Sequence, residues 1–222
     1  FLNENCAQLV LLFQSAGALG GVSAYAADEP LPDGVTAFLP TPAQADLLIV
    51  TAEPGMEFLQ FGAVIPTYTR EKGIATAVLY VSDYGKRARA YEALAGLTDA
   101  GVTAYPIFGG FTCDNYDSYK MAVAGFVKKT LTAYLEQQFT VLSPKVIVTH
   151  STADASGAHS LTAECVLAAA QNCASVEKVY FAGETDETAP TVIDMSTPLN
   201  AFDGKTSAEI AESAYALHVS RR

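Results

Sequence analysis

Positive charge is scarce. The 222-residue chain has 13 Lys and Arg against 24 Asp and Glu, a formal net charge of −11, and no basic cluster larger than Lys86-Arg87-Ala88-Arg89. A nucleic-acid binder needs a basic face to offset phosphate charge, so nucleic acid is not an expected partner. An acidic surface favours solubility and neutral or cationic partners without naming one. Tryptophan is absent, but 11 Tyr and 11 Phe in a half-hydrophobic chain supply the core of one sizeable domain. Of four cysteines, Cys6 and Cys113 stand alone, and no CxxC or zinc-knuckle spacing occurs. Cys165 and Cys173 fall on one expected helix, about 12 Å apart along its axis, too far to bridge. Gly109-Gly110 has no following Lys-Ser/Thr or GxGxxG pattern, so phosphate or dinucleotide cradling is not expected. Ser156-Gly157 lacks the GxSxG elbow of a serine hydrolase.

No apolar run is a good membrane span either. Leu9 to Ala26 is uncharged, but short and interrupted by glycine. It ends Ala24-Tyr25-Ala26 before Asp28-Glu29-Pro30, which places small residues as a signal-peptidase site does. The expectation is a leader over 1–27, a secreted or cell-envelope location, and no stable span once the leader is removed. Because no basic residue precedes the run, an ordinary N-terminal helix is the competing reading. Residues 28–44 hold Pro30, Pro32, Pro40 and Pro42 and read as a linker or N-terminal arm.

From residue 45 to 222 the pattern alternates. Buried strands are expected over 45–52, 74–82, 102–108, 145–150, 178–183 and 191–195. Helices are expected over 57–72, with a kink or early break at Pro66, and over 86–100, 119–139 and 160–171. A last helix opens with the capping box Thr206-x-x-Glu209 and runs to about His218. This alternation defines an α/β fold, a Rossmann-like three-layer sandwich with a mostly parallel sheet. Ligands in such folds sit at the carboxyl ends of strands, where the loops after Ala52 and Thr149 lie.

Four segments in this order resemble one family: DLLIVTAEPGMEFLQFGAVIPTY (46–68), AYPIFGGF (104–111), KVIVTHSTADASGAHSLTAE (145–164) and TPLNAFDGKTSAEIAESAYALH (197–218). The family is the PIG-L, or LmbE-like, deacetylases, and the chain looks most like their secreted bacterial branch. The resemblance implies zinc-dependent removal of acetyl groups from N-acetylglucosamine-type substrates. It also implies a glycan or glycolipid containing N-acetylglucosamine as partner.

The family's first motif reads A/P-H-P-D-D-E, with the His and second Asp on zinc and the first Asp as general base. At the matching run, Glu53 stands at the zinc His, Gly55 at the base and Met56 at the zinc Asp, while Ala52, Pro54 and Glu57 match. The second motif, H-x-x-H, matches Ser156-Gly157-Ala158-His159. Its first His, which stabilises the tetrahedral intermediate in the family, is Ser156 here, and the zinc ligand His159 is kept. A catalytic zinc needs about three protein ligands and a water. A thioether is a poor partner for zinc beside hard oxygens, and Gly55 has no group to take a proton. The expectation is therefore an eroded deacetylase, catalytically impaired or a glycan-binding pseudoenzyme. The alternative is an active metal-dependent N-deacetylase rebuilt around Glu53 and His159, with Asp154 or His150 as substitute ligands. Against it, Glu53 and Glu57 suit a helix start through its dipole, and His150 suits a strand end.

Weaker signals remain. Arg89 with Glu92 resembles the family's R-x-x-E, which brings an arginine near substrate, and reads equally well as a solvated i,i+3 pair. Tyr105, Phe108, Phe111, Tyr116 and Tyr119 gather near one loop, either for stacking on a sugar or for packing. His218 matches a histidine of the branch's tail.

Overall fold

The computed structural model describes residues 23–26, 29–33, 35–82, 86–111, 118–182 and 193–221. Cys6, Cys113 and Tyr116, and most of the expected leader, lie outside them. The chain divides into two compact units, Phe1–Thr36 and Ala37–Arg222. The first shows two backbone turns, Glu29 N–H to the Ala26 carbonyl and Val35 N–H to the Pro32 carbonyl.

The second unit is built on a parallel sheet of β1 (Leu47–Thr51), β2 (Thr76–Tyr80), β3 (Ile107–Phe108), β4 (Val146–Thr149) and β5 (Lys178–Phe181). The order is β3-β2-β1-β4-β5, so the chain winds outwards from β1 to one edge and returns to the other. The apolar run of β1 is buried on both faces, as a parallel strand requires. Leu48 and Val50 join Leu135, Phe139, Leu161 and Cys165 on one side. Leu47 and Ile49 join Phe58, Leu97 and Ile210 on the other. Helices α4 (Lys128–Leu142) and α5 (Gly157–Gln171) therefore cover one face. Helices α1 (Met56–Leu59), α2 (Arg87–Asp99) and α6 (Ser207–Ala216) cover the opposite face. Among the described residues no helix is long and apolar enough to cross a membrane.

The elements depart from the sequence pattern at four places. The expected helix over 57–72 breaks after α1 and resumes as a π-helix over Ile65–Glu71, with Pro66 in its first turn. Between them Gly62 packs so tightly that a Cβ would lie 2.5 Å from the Phe58 carbonyl oxygen and 2.6 Å from Ala211 Cβ. The expected strand over 102–108 is reduced to two residues and a single bridge from Ala104 to Leu39, because Pro106 cannot donate to the ladder. The expected helix over 119–139 is two helices, α3 (Tyr119–Phe126) and α4, which part at Val127 in a left-handed conformation, φ 48°. Over 191–195 the first two residues lie outside the described set, and 193–195 form no strand. There the Asp194 carboxylate accepts from the Ser196 N–H and from the Ser196 and Thr197 hydroxyls, which fixes a turn.

Cys165 is buried in α5, whereas Cys173 falls two residues past the end of that helix instead of on it, and both are free thiols. The Thr206–Glu209 capping box is complete. A cavity of about 350 Å³, lined by Arg70, Ile74, Thr76 and Val102, opens at the amino end of β2, away from the two loops of interest.

Candidate functional site

The turn after β1 is shaped by its own backbone. Thr51 Oγ1 donates to the Glu53 carbonyl, and Met56 N–H reaches the same carbonyl at 3.4 Å. Gly55 precedes α1 with φ 95° and ψ −22°. That lies outside the usual left-handed basin of L residues near +50 to +70°, so the glycine is required by the turn itself. The residue that the resemblance sets at the base position thus lacks a side chain and holds a backbone conformation that resists one.

The second loop reaches the site through α5. A Cβ on Gly157 would lie 2.2 Å from the Ser118 carbonyl, so only glycine lets α5 start against that segment. Asp154 Oδ1 accepts from the Ser156 N–H at 2.8 Å, and Ser156 precedes the helix without a capping bond from its own hydroxyl. His159 lies in the first turn of α5, 8% exposed.

A polar chain joins the two loops. Ala52 N–H, just past β1, donates to His150 Nε2 at 2.9 Å. A backbone N–H is always a donor, so His150 Nε2 carries the lone pair and Nδ1 the proton in the neutral ring. Nδ1–H then donates to the Gln60 carbonyl oxygen, Oε1. With that end fixed, the Gln60 amide nitrogen points at Asp154 Oδ2, 2.9 Å away, and lies 3.4 Å from His159 Nδ1. His159 Nδ1 is 3.1 Å from the same Asp154 oxygen. On its far side His159 Nε2 faces Glu53 Oε1 at 3.7 Å. The His150 and His159 rings stack, 4.1 Å between centroids and 3° between planes.

Electrostatics follow from this order. Burial acts to depress the His159 pKa, but Glu53 and Asp154 together outweigh it and raise it. Burial acts to raise the Asp154 pKa, but the Ser156 N–H, the Gln60 amide and His159 hold it below the usual carboxylate value. The site therefore favours protonation of His159 more than water does.

The sequence-derived site residues fall in two groups. Glu53, Asp154, His159 and His150 come together, and Ser156 borders them. Met56 is buried in α1 and Gly55 forms the turn. Glu57 points the other way: fully buried, it accepts from the Gly55 N–H and the Tyr80 hydroxyl, both at 2.6 Å, and lies 3.8 Å from His218 Nε2. Burial and then Glu57 push the Tyr80 phenol well above its ordinary pKa. Arg89 occupies the first turn of α2, across the sheet from α5, and both oxygens of its neighbour Glu92 accept from Ser220. The aromatic residues pack: Tyr80 stacks on Phe108, Tyr105 meets Phe108 edge-on, and Phe111 meets Tyr134. Gln60 was not foreseen; its signal is one amide following the buried run Met56–Phe58, four residues after Met56.

Zinc at the family positions does not fit these residues. Met56 offers a soft thioether, leaving Glu53 and His159 as hard donors where about three are needed. His150, Asp154 and His159 do present ligand atoms within 4.8 Å of one another. Yet the Ala52 N–H commits His150 Nε2, and Nδ1 keeps its proton. Imidazole lone pairs also lie in the ring plane, so two parallel rings cannot both aim at one ion.

No protein-family model and no curated protein matches the sequence. Solved structures do match in fold. The zinc-inhibited form of teicoplanin deacetylase Orf2 superposes with a TM-score of 0.58 at 13% identity, covering 79% of this chain and 84% of that one. The N,N'-diacetylchitobiose deacetylase from Pyrococcus horikoshii gives 0.52 at 13% identity, over 80% and 71%. The conserved protein TT1542 from Thermus thermophilus gives 0.53 at 18% identity, over 80% of each chain. The chain thus has the α/β fold of these structures, the first two of which are named as deacetylases.

Proposed function

We propose that this protein is an exported deacetylase-fold pseudoenzyme that no longer hydrolyses acetamides and retains binding to glycans or glycolipids containing N-acetylglucosamine. One observation carries the loss of catalysis: the polar groups left at the site satisfy one another, from Ala52 through His150, Gln60 and Asp154 to His159. Gly55 at the base position supports it, since removing base and ligands together abolishes most of a rate. Glycan binding is supported by the fold shared with structures named as deacetylases, one of them acting on diacetylchitobiose. The test is purification with zinc, metal analysis, and acetate release from N-acetylglucosamine oligosaccharides alongside a binding titration with them. The expected result is no stoichiometric zinc, no acetate above blank, and saturable binding. Stoichiometric zinc with acetate release that His159→Ala abolishes would overturn the reading.

A second reading has one observation in its favour. His159 Nε2 and Glu53 Oε1 are 3.7 Å apart with Asp154 behind Nδ1, the carboxylate–histidine order that orients a metal ligand. In that reading the chain is an active metal-dependent N-deacetylase rebuilt around Glu53 and His159. The same measurement separates the two.

A further inference from the structure

We propose that Gln60 is the residue that keeps this centre free of metal, because its amide nitrogen occupies one corner of a divalent-cation coordination face. The inference rests on the metal-free reading above and adds the residue responsible. Gln60 Nε2, Asp154 Oδ2 and His159 Nδ1 form a triangle with edges of 2.9, 3.1 and 3.4 Å. Neighbouring donors around an ion with bonds of about 2.1 Å lie roughly 3.0–3.4 Å apart. The triangle has the dimensions of such a face, but one corner is an NH₂ group, which has hydrogens where a ligand needs a lone pair.

The amide cannot simply turn over. His150 Nδ1–H holds the Gln60 carbonyl, and the Ala52 N–H fixes His150 in that tautomer. The NH₂ is therefore held against Asp154 and does, as a neutral group, what a cation would do there. An isosteric carboxylate changes only that corner. In Gln60→Glu one oxygen keeps the bond from His150, and the other faces Asp154 Oδ2 at a separation two carboxylates tolerate only around a cation or a proton. His159 Nδ1 is the third corner, its proton passing to solvent as the cation takes its place, with Glu53 Oε1 3.7 Å from Nε2 on the far side of the ring.

The experiment titrates Co²⁺ into wild type, Gln60→Glu and Gln60→Ala at neutral pH, read by the visible absorption of bound cobalt and by calorimetric stoichiometry. Wild type is expected to show no saturable uptake. Gln60→Glu is expected to take one equivalent, with an affinity that Asp154→Asn in the same background lowers by roughly tenfold or more. Gln60→Ala, which removes the NH₂ without adding charge, is expected to bind more tightly than wild type and more weakly than Gln60→Glu; it also serves if the glutamate variant fails to fold. Two folded variants that take up no more cobalt than wild type overturn the proposal, as does uptake that Asp154→Asn leaves unchanged. Stoichiometric cobalt in wild type sinks the metal-free reading itself, a result distinct from inert variants beside a metal-free wild type.

Discussion

His150 and His159 stack ring on ring, yet the backbone assigns them opposite tasks. Ala52 leaves His150 Nε2 as an acceptor, while Glu53 and Asp154 favour protonation of His159. Protonated His159 is favoured by the fold, so its contribution is complete below the ordinary histidine value of 6.5 and is lost as pH rises through the raised folded value. Asp154 behaves oppositely: its contribution is complete above the ordinary 3.8 and is lost as pH falls through the depressed folded value. The urea midpoint of wild type should exceed that of Asp154→Asn most between about pH 4 and 6.5, with the gap narrowing on either side. A gap that stays constant from pH 4 to 9 would show that the ion pair contributes nothing.

The elements were legible where burial dictated the pattern. The runs that became β1, β2 and β4 are apolar on both faces, and the Thr206 capping box states its own position. What the sequence hid is where tertiary packing overrode local preference. Gly62 closes against α6, and Asp194 turns the chain with side-chain bonds that periodicity does not register. At the site, Glu53, His150, Asp154 and His159 stood out in the sequence because chemistry marks them, and the structure brings them together. Gln60 was not, since an amide is informative only once its partners are known. The junction of α3 and α4 offers a direct check of element energetics. Val127 is 54% exposed and β-branched, with φ 48°, a conformation that costs such residues about 1–2 kcal/mol. Val127→Gly is expected to stabilise the protein by up to about 1 kcal/mol after its own loss of backbone entropy. Chemical denaturation measures this, and a destabilised variant would mean that the Val127 side chain makes contacts worth more than the strain.

Across the whole molecule, one buried cluster ties distant parts together. Glu57 follows the β1 turn, Tyr80 ends β2, and His218 follows α6, and all three are fully buried. The start of the site and the C-terminal segment thus share one carboxylate. Tyr80→Phe removes a bond to a buried charge and should cost about 1–3 kcal/mol by urea denaturation. A loss within experimental error would place the anchoring in the other groups around Glu57, the Gly55 N–H and His218 among them. Gly55 has a consequence of a different kind. At most positions one side chain can be exchanged for another on an unchanged frame. At residue 55 the frame itself sets the limit, since a turn at φ 95° strains any L side chain placed there. Placing a carboxylate at that position would therefore mean rebuilding the turn along with the side chain, so the backbone constrains the chemistry available here as firmly as the residues do.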